Sequence, residues 1–254
     1  MTSRVRFLAG AALLAALPVL SFAADKPAYP TGPGSLQGMW QSPFPPDQIR
    51  KPGDPAPPVE VGPAPVKEPY KSQLAAQRKA GADALASGKP QVTGGVRCIP
   101  GGFPGMMGPV FPLEVIEAPG QINITNEAFN QTRRIYLNER QIAVDDAEPV
   151  FFGHSVGHWE KGVLIVDTIG MKDSVRMSGV PHSPNMRVDE RLRRTGPDTM
   201  EDQITITDPE YLTGPWTFTY HYKKMTGYKL GEFICENNRD YDPKTDSQKL
   251  DLNH

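Results

Sequence analysis

The sequence predicts a mainly β fold, an antiparallel β-barrel with one surface helix and a proline-rich excursion, on three observations. From Phe111 onward the chain is a succession of short runs of alternating apolar and polar residues. Turn signals such as Pro119-Gly120, Gly196-Pro197-Asp198 and Thr226-Gly227 separate them. The run from Val150 to Ile169 folds back on itself across Lys161-Gly162, where a glycine supplies the positive φ of a tight hairpin. Trp216 to Tyr222 alternates strictly, four aromatics on one face against two threonines and His221 on the other, so one face must be buried. Strands are expected at 36–41, 111–117, 121–126, 132–138, 150–160, 163–169, 186–195, 199–207, 216–224 and 229–236. Short loops join most of them, as in an antiparallel meander. So many consecutive strands lose their edges by closing into a barrel or splitting into a sandwich.

The chain opens on two arginines, an apolar run from Phe7 to Leu20 and small residues at Ser21 and Ala23, the pattern of a secretory signal peptide over residues 1–23. The run is short for a membrane span, and no second long apolar stretch follows. The expectation is therefore a periplasmic or secreted protein without a span after cleavage, residues 24–254 forming a single barrel domain. Residues 43–69 are dense in proline, which cannot donate to a strand ladder, and form a surface excursion. Pro69 then opens a helix over 70–87 with a thin apolar stripe, closed by Gly88 and Pro90. Residues 94–110 form a loop whose Met106-Met107 pair suits a methionine-rich lid over an apolar mouth.

The formal charge of −2 and the one short basic cluster, Arg191, Arg193 and Arg194, exclude a nucleic-acid partner. The two cysteines, Cys98 and Cys235, make an even pair that an oxidising compartment would join, closing a long loop for about 2–4 kcal/mol. No cysteine spacing suggests a metal, and His154 and His158 on one strand lie about 13 Å apart, poor joint ligands. No metal and no cofactor are expected. The oligomeric state is open.

In the hairpin, Glu160 faces Val163, and alternation then puts His154, Val156, His158, Glu160, Val163, Ile165, Asp167 and Ile169 on one face. The other face, with Ser155, Gly157, Trp159, Leu164, Val166 and Thr168, is drier. The first is an odd mixture for either core or surface. If it lines a pocket, His154 and Asp167 are diagonal neighbours and could work as a base and its orienting carboxylate. The competing reading is structural, a polar pair satisfying backbone groups or sitting on the outer wall. Glu190 shares a face with Met186, Val188 and Leu192 and is expected inside; His182 lies in a rim loop. Ser155 and Ser183 lack a nucleophile-elbow context, so a serine hydrolase is not expected.

Gly38-Met39-Trp40, a Gly-x-Trp on the first strand before a meander, resembles the calycin superfamily, the lipocalin-like barrels. A second resemblance covers about Cys98 to Asn238. Gly153 to Glu160, His182-Ser183, Glu190-Arg191, Pro215-Trp216 and Cys235-Glu236-Asn237 look like a family of exported bacterial hypothetical proteins with a GHSVGxWE hairpin. That family typically has Glu-Gly-Asp-Thr at the hairpin turn, where this chain has Glu-Lys-Gly-Val. The resemblance implies export and fold, and carries no reaction.

Two functions follow as expectations. One is an exported barrel binding a small, partly apolar molecule in an interior lined by Trp216, Phe218, Tyr220, Tyr222, Met186 and Val188. The other is a cofactor-free lyase, isomerase or hydrolase with His154 as base, Asp167 as its carboxylate, and Glu190 or His182 as acid. A structural-interaction role would rest on the proline-rich segment alone.

Overall fold

A computed structural model describes residues 34–41, 62–88, 98–108, 111–233, 235, 241–242 and 247–248. The expected signal peptide, positions 43–61 of the proline-rich excursion, and Glu236 and Asn237 lie outside the described residues. Nine strands close into one barrel: β1 (Gly38–Gln41), β2 (Leu113–Ala118), β3 (Gln121–Asn126), β4 (Gln131–Leu137), β5 (His154–Glu160), β6 (Val163–Ile169), β7 (Arg187–Gly196), β8 (Thr199–Thr207) and β9 (Trp216–Met225). β1 pairs with both β2 and β9, so no long edge is left. This is the mainly β barrel class the sequence predicts. A two-stranded ribbon, β10 (Tyr241–Asp242) with β11 (Ser247–Gln248), forms a separate sheet.

Two expectations need correction. The barrel is not a pure antiparallel meander, because β4 and β5 run parallel over the short pairing from Ile135–Ser155 to Leu137–Gly157. Parallel neighbours require the chain to return along the barrel before the next strand starts, and residues 138–153 make that crossing. The tenth expected strand, 229–236, is not formed over its described residues 229–233 and 235; the chain turns instead to Glu127, whose carboxylate accepts from Tyr228 and Gly231.

The hairpin register is as read, Glu160 opposite Val163 and His154 opposite Ile169. Lys161 and Gly162 take φ of 47° and 81°, the two positive values of a type I′ turn. The drier face points inward: Ser155, Gly157, Leu164, Val166 and Thr168 are all buried. Trp159, of the same parity, is 37% exposed at the far end of β5. On β9 the aromatic face is buried throughout, as the alternation requires.

α1 (Tyr70–Ala86) lies over one mouth of the barrel with Leu74 as its buried residue. Val66 bridges to Leu212, the Tyr70 ring packs tilted against Tyr211 at 4.2 Å, and Arg78 Nη2 donates to the Ser178 carbonyl. Among the described residues no helix is long and apolar enough to cross a membrane. Cys98 and Cys235 form a disulfide across 137 positions of sequence.

Lys161 is a β-carbon residue in a left-handed conformation that asparagine tolerates better. Lys161→Asn should therefore raise stability by about 0.5 kcal/mol, read as a higher urea midpoint at unchanged m-value. A lowered midpoint would mean that the lysine side chain supports the turn.

Candidate functional site

The mouth beneath α1 is built from the loops 170–186 and 208–215, and Asp208 ties them together. Its buried carboxylate accepts from Ser183 N at 2.7 Å, Ser183 Oγ at 3.0 Å, and the backbone N–H of Glu210 and Tyr211. Ser183 thus has a structural tie and is 2% exposed. His182, one residue earlier, is half-buried, with Nδ1 2.9 Å from the Ser183 carbonyl and Nε2 3.0 Å from that of Lys172. Both carbonyls only accept, so the neutral ring satisfies one and the protonated ring both.

Three spaces meet here. A cavity of about 20 Å³, room for roughly one water, is lined mainly by apolar side chains including Met177, Val180, Met186, Ile206, Leu212 and Trp216, with His182 and Asp208 as its polar groups. A groove of about 340 Å³ runs past Met171, Lys172, Asp173 and Pro184 and shares His182 with the cavity. A second, of about 450 Å³, runs under α1 past Leu74 and Arg78 and shares Trp216. Two side chains, His182 and Trp216, are the common walls.

The centre of the barrel is filled. Phe103, Met106 and Met107 are buried in the core, not held as a lid over the mouth. Gly102 can lead into this turn because its φ is 71° and a β-carbon there would lie 2.5 Å from the Phe151 carbonyl. Tyr222 Oη donates to the Met107 carbonyl at 2.6 Å, which answers its need for a polar partner. Of the six expected lining residues, Met186 and Trp216 border the mouth cavity; Val188, Phe218, Tyr220 and Tyr222 are packed in the core.

Glu190 is inside, wholly buried, and paired with Arg133. The guanidinium donates to both Glu190 oxygens (2.8 and 2.5 Å), to Thr168 Oγ1 (2.9 Å) and to Ser155 Oγ (3.1 Å), and it lies 3.7 Å from the centre of the Phe103 ring. Asp202 completes the cluster, 0% exposed, with neither oxygen accepting a hydrogen bond from a described residue. Burial first, then the Glu190 charge, hold its carboxyl well above the usual range against the opposing pull of Arg133, and Glu190 is its hydrogen-bonding neighbour. Only a protonated Asp202 can donate to that carboxylate. Burial also raises the Tyr220 and Tyr222 phenols beside it.

His154 and Asp167 are on the outer wall, away from Glu190 and from the mouth spaces. The crossing 138–153 passes over them: Gln141 Nε2 donates to both the His154 and Asp167 carbonyls, and His154 Nδ1–H donates to Gln141 Oε1 at 2.8 Å. Tyr136 stacks on the imidazole at 5.7 Å. Asp167 sits 3.2 Å from Arg187 and directly opposite Asp189. Burial raises the carboxyl of Asp167, with Arg187 opposing, and burial with the Asp167 charge raises that of Asp189. Of the four acid–base candidates, the fold brings His154 and Asp167 together and leaves His182 and Glu190 each in separate surroundings. Among the described residues no group of three or more His, Cys, Asp or Glu side chains is placed to hold a metal ion.

Arg133 and Asp202 are the interior residues that the sequence reading passed over. The signal was present: Gln131, Arg133 and Ile135 share one parity on β4, and Met200, Asp202, Ile204 and Ile206 share one on β8. The rule that placed Glu190 inside places them there as well. No family model and no curated protein matches the sequence.

An unfolded aspartate ionises near pH 4, whereas burial and the Glu190 charge hold the Asp202 carboxyl well above that range in the fold, so the folded state binds this proton more tightly and stability falls as pH rises above about 4. Asp202→Asn removes that titration while keeping a donor toward Glu190. Urea unfolding from pH 4 to pH 8 should give a gain over the parent that grows with pH. Parallel curves for the two proteins would mean that Asp202 ionises normally when buried.

Proposed function

We propose that the protein is an exported barrel that binds a small, partly apolar molecule at its mouth, as a carrier or binding module. The observation that carries this reading is the apolar cavity between Met186, Leu212 and Trp216, which shares its His182 wall with a groove large enough for a small ligand. The cavity alone takes about one water, so a ligand extends into the groove by rotation of the shared His182 wall. The apolar part rests on Met186 and Trp216, and a polar end meets the His182 ring and the backbone of the 170–186 loop. Export draws support from the amino-terminal pattern and from the Cys98–Cys235 disulfide. The same reading keeps the resemblance to the exported bacterial family.

A cofactor-free acid–base enzyme is the second reading. The observation in its favour is that His182 borders both the cavity and the groove, where a general acid or base would reach a bound substrate.

Titration with N-phenyl-1-naphthylamine tests the binding site. Quenching of Trp216 is expected on binding, lost in Trp216→Phe, and Val180→Trp should fill the cavity and weaken binding by about tenfold, 1.4 kcal/mol. Unchanged affinity in a folded Val180→Trp protein would place the site elsewhere. Turnover of a bound compound, abolished by His182→Ala with binding retained, would favour the enzyme.

A further inference from the structure

Residues 102–108 belong to no strand, yet they sit where a barrel ligand would sit, and their contacts are of the kind a ligand makes. The Phe103 ring covers the guanidinium of Arg133 at 3.7 Å. The Met107 carbonyl accepts from Tyr222 Oη at 2.6 Å, and the Met106 carbonyl accepts from Asn126 Nδ2 at 2.7 Å. Asp202 is fully buried near the same cluster, beside Glu190, and among the described residues no donor reaches its oxygens. The segment also reaches the proposed entry, since Pro104 forms one wall of the mouth cavity. Its hold on the wall is mainly apolar, with Phe103, Met106 and Met107 all buried in the core. Apart from apolar packing and the contacts above, Gly102 N donates to Gln131 Oε1 and Phe103 N to the Phe151 carbonyl, while Gly101 and Gly105 have open space where a side chain would be.

We propose that residues 102–107 are a self-ligand, and that the site they fill accepts a small aromatic molecule bearing a carbonyl, its ring over Arg133 and its oxygen on Tyr222. This deepens the binding reading above and rests on it, because the molecule enters by the mouth cavity and takes the place of Phe103 and Met107. A planar apolar ring on a guanidinium face gains dispersion and cation–π attraction. The tyrosine hydroxyl requires an acceptor when buried, so an arene without one leaves that donor unpaired. Displacing the segment lowers the apparent affinity by the fraction of molecules in which it is displaced.

Acetophenone is the probe and ethylbenzene, nearly its shape without the oxygen, the comparison, both titrated into the disulfide-bonded protein. Hydrogen exchange is followed on peptides spanning 98–108 and 171–186. Acetophenone is expected to bind about tenfold more tightly than ethylbenzene and to accelerate exchange at Phe103 and Met106–Gly108. Tyr222→Phe should close the gap between the two probes. The inference is overturned if acetophenone leaves exchange at 102–108 unchanged, whether it fails to bind or binds with changes confined to 171–186. Changes confined to 171–186 would leave the mouth reading standing. Equal affinity for the two probes in the parent protein would remove the carbonyl specificity and with it the proposal.

Discussion

The barrel depends on one buried contact, the bidentate pairing of Arg133 with Glu190. One of its short seams is the parallel junction of β4 and β5, where three residue pairs face each other, as many as on either side of β1. Arg133 projects inward from β4 and reaches Ser155 on β5, Thr168 on β6 and Glu190 on β7, so a single side chain sews four consecutive strands across that seam. Both charges are removed from water, which costs several kcal/mol for each, and such a pair is tolerable only when its remaining hydrogen-bonding capacity is used. Here the guanidinium is nearly saturated. A buried pair of this kind is often no more stabilising than apolar packing; what it supplies here is a set of directional bonds that link β4 to β5, β6 and β7.

The same parallel junction explains the outer wall. A return crossing from the end of β4 to the start of β5 has to travel along the barrel, and residues 138–153 lie against β5 and β6 as they do so. Gln141 then satisfies carbonyls on both strands, and His154, Tyr136 and Asp167 become half-buried beneath it. A strand face covered by a polar link, and not by core or water, needs both aliphatic and hydrogen-bonding residues. That accounts for the mixed composition of the hairpin face without invoking a pocket.

The interior and the mouth divide the functional possibilities between them. The aromatic wall of β9 is engaged by the chain's own Phe103–Met107 stretch at its deep end and borders the mouth cavity at Trp216. The polar cluster lies at the deep end, and His182 at the open one. A ligand confined to the mouth would meet apolar surface and one imidazole, and a ligand that went deeper would also meet Arg133, Tyr222 and the buried Asp202. Which depth is used decides whether the buried cluster is architecture alone.

Local pattern was enough for nine of the ten expected strands, the hairpin register across Lys161-Gly162, the helix over Tyr70–Ala86, and the inward aromatic face of β9, because each follows from alternation, turn chemistry or capping within a few residues. Parity also contained Arg133 and Asp202, since each alternates with aliphatic neighbours on its own strand. It could not say which face of the His154–Ile169 hairpin looks inward. That choice requires knowing that a link from 138–153 covers one face and that Arg133, on another strand, supplies partners for Ser155 and Thr168 on the other. Nor could composition reveal that Phe103 and Met107 fill the barrel, because a glycine- and proline-rich loop carries no period from which burial can be read. Short-range regularities fix secondary structure and register, while the inside of a barrel is decided by which distant segments close over it, and that is a property of the tertiary fold alone.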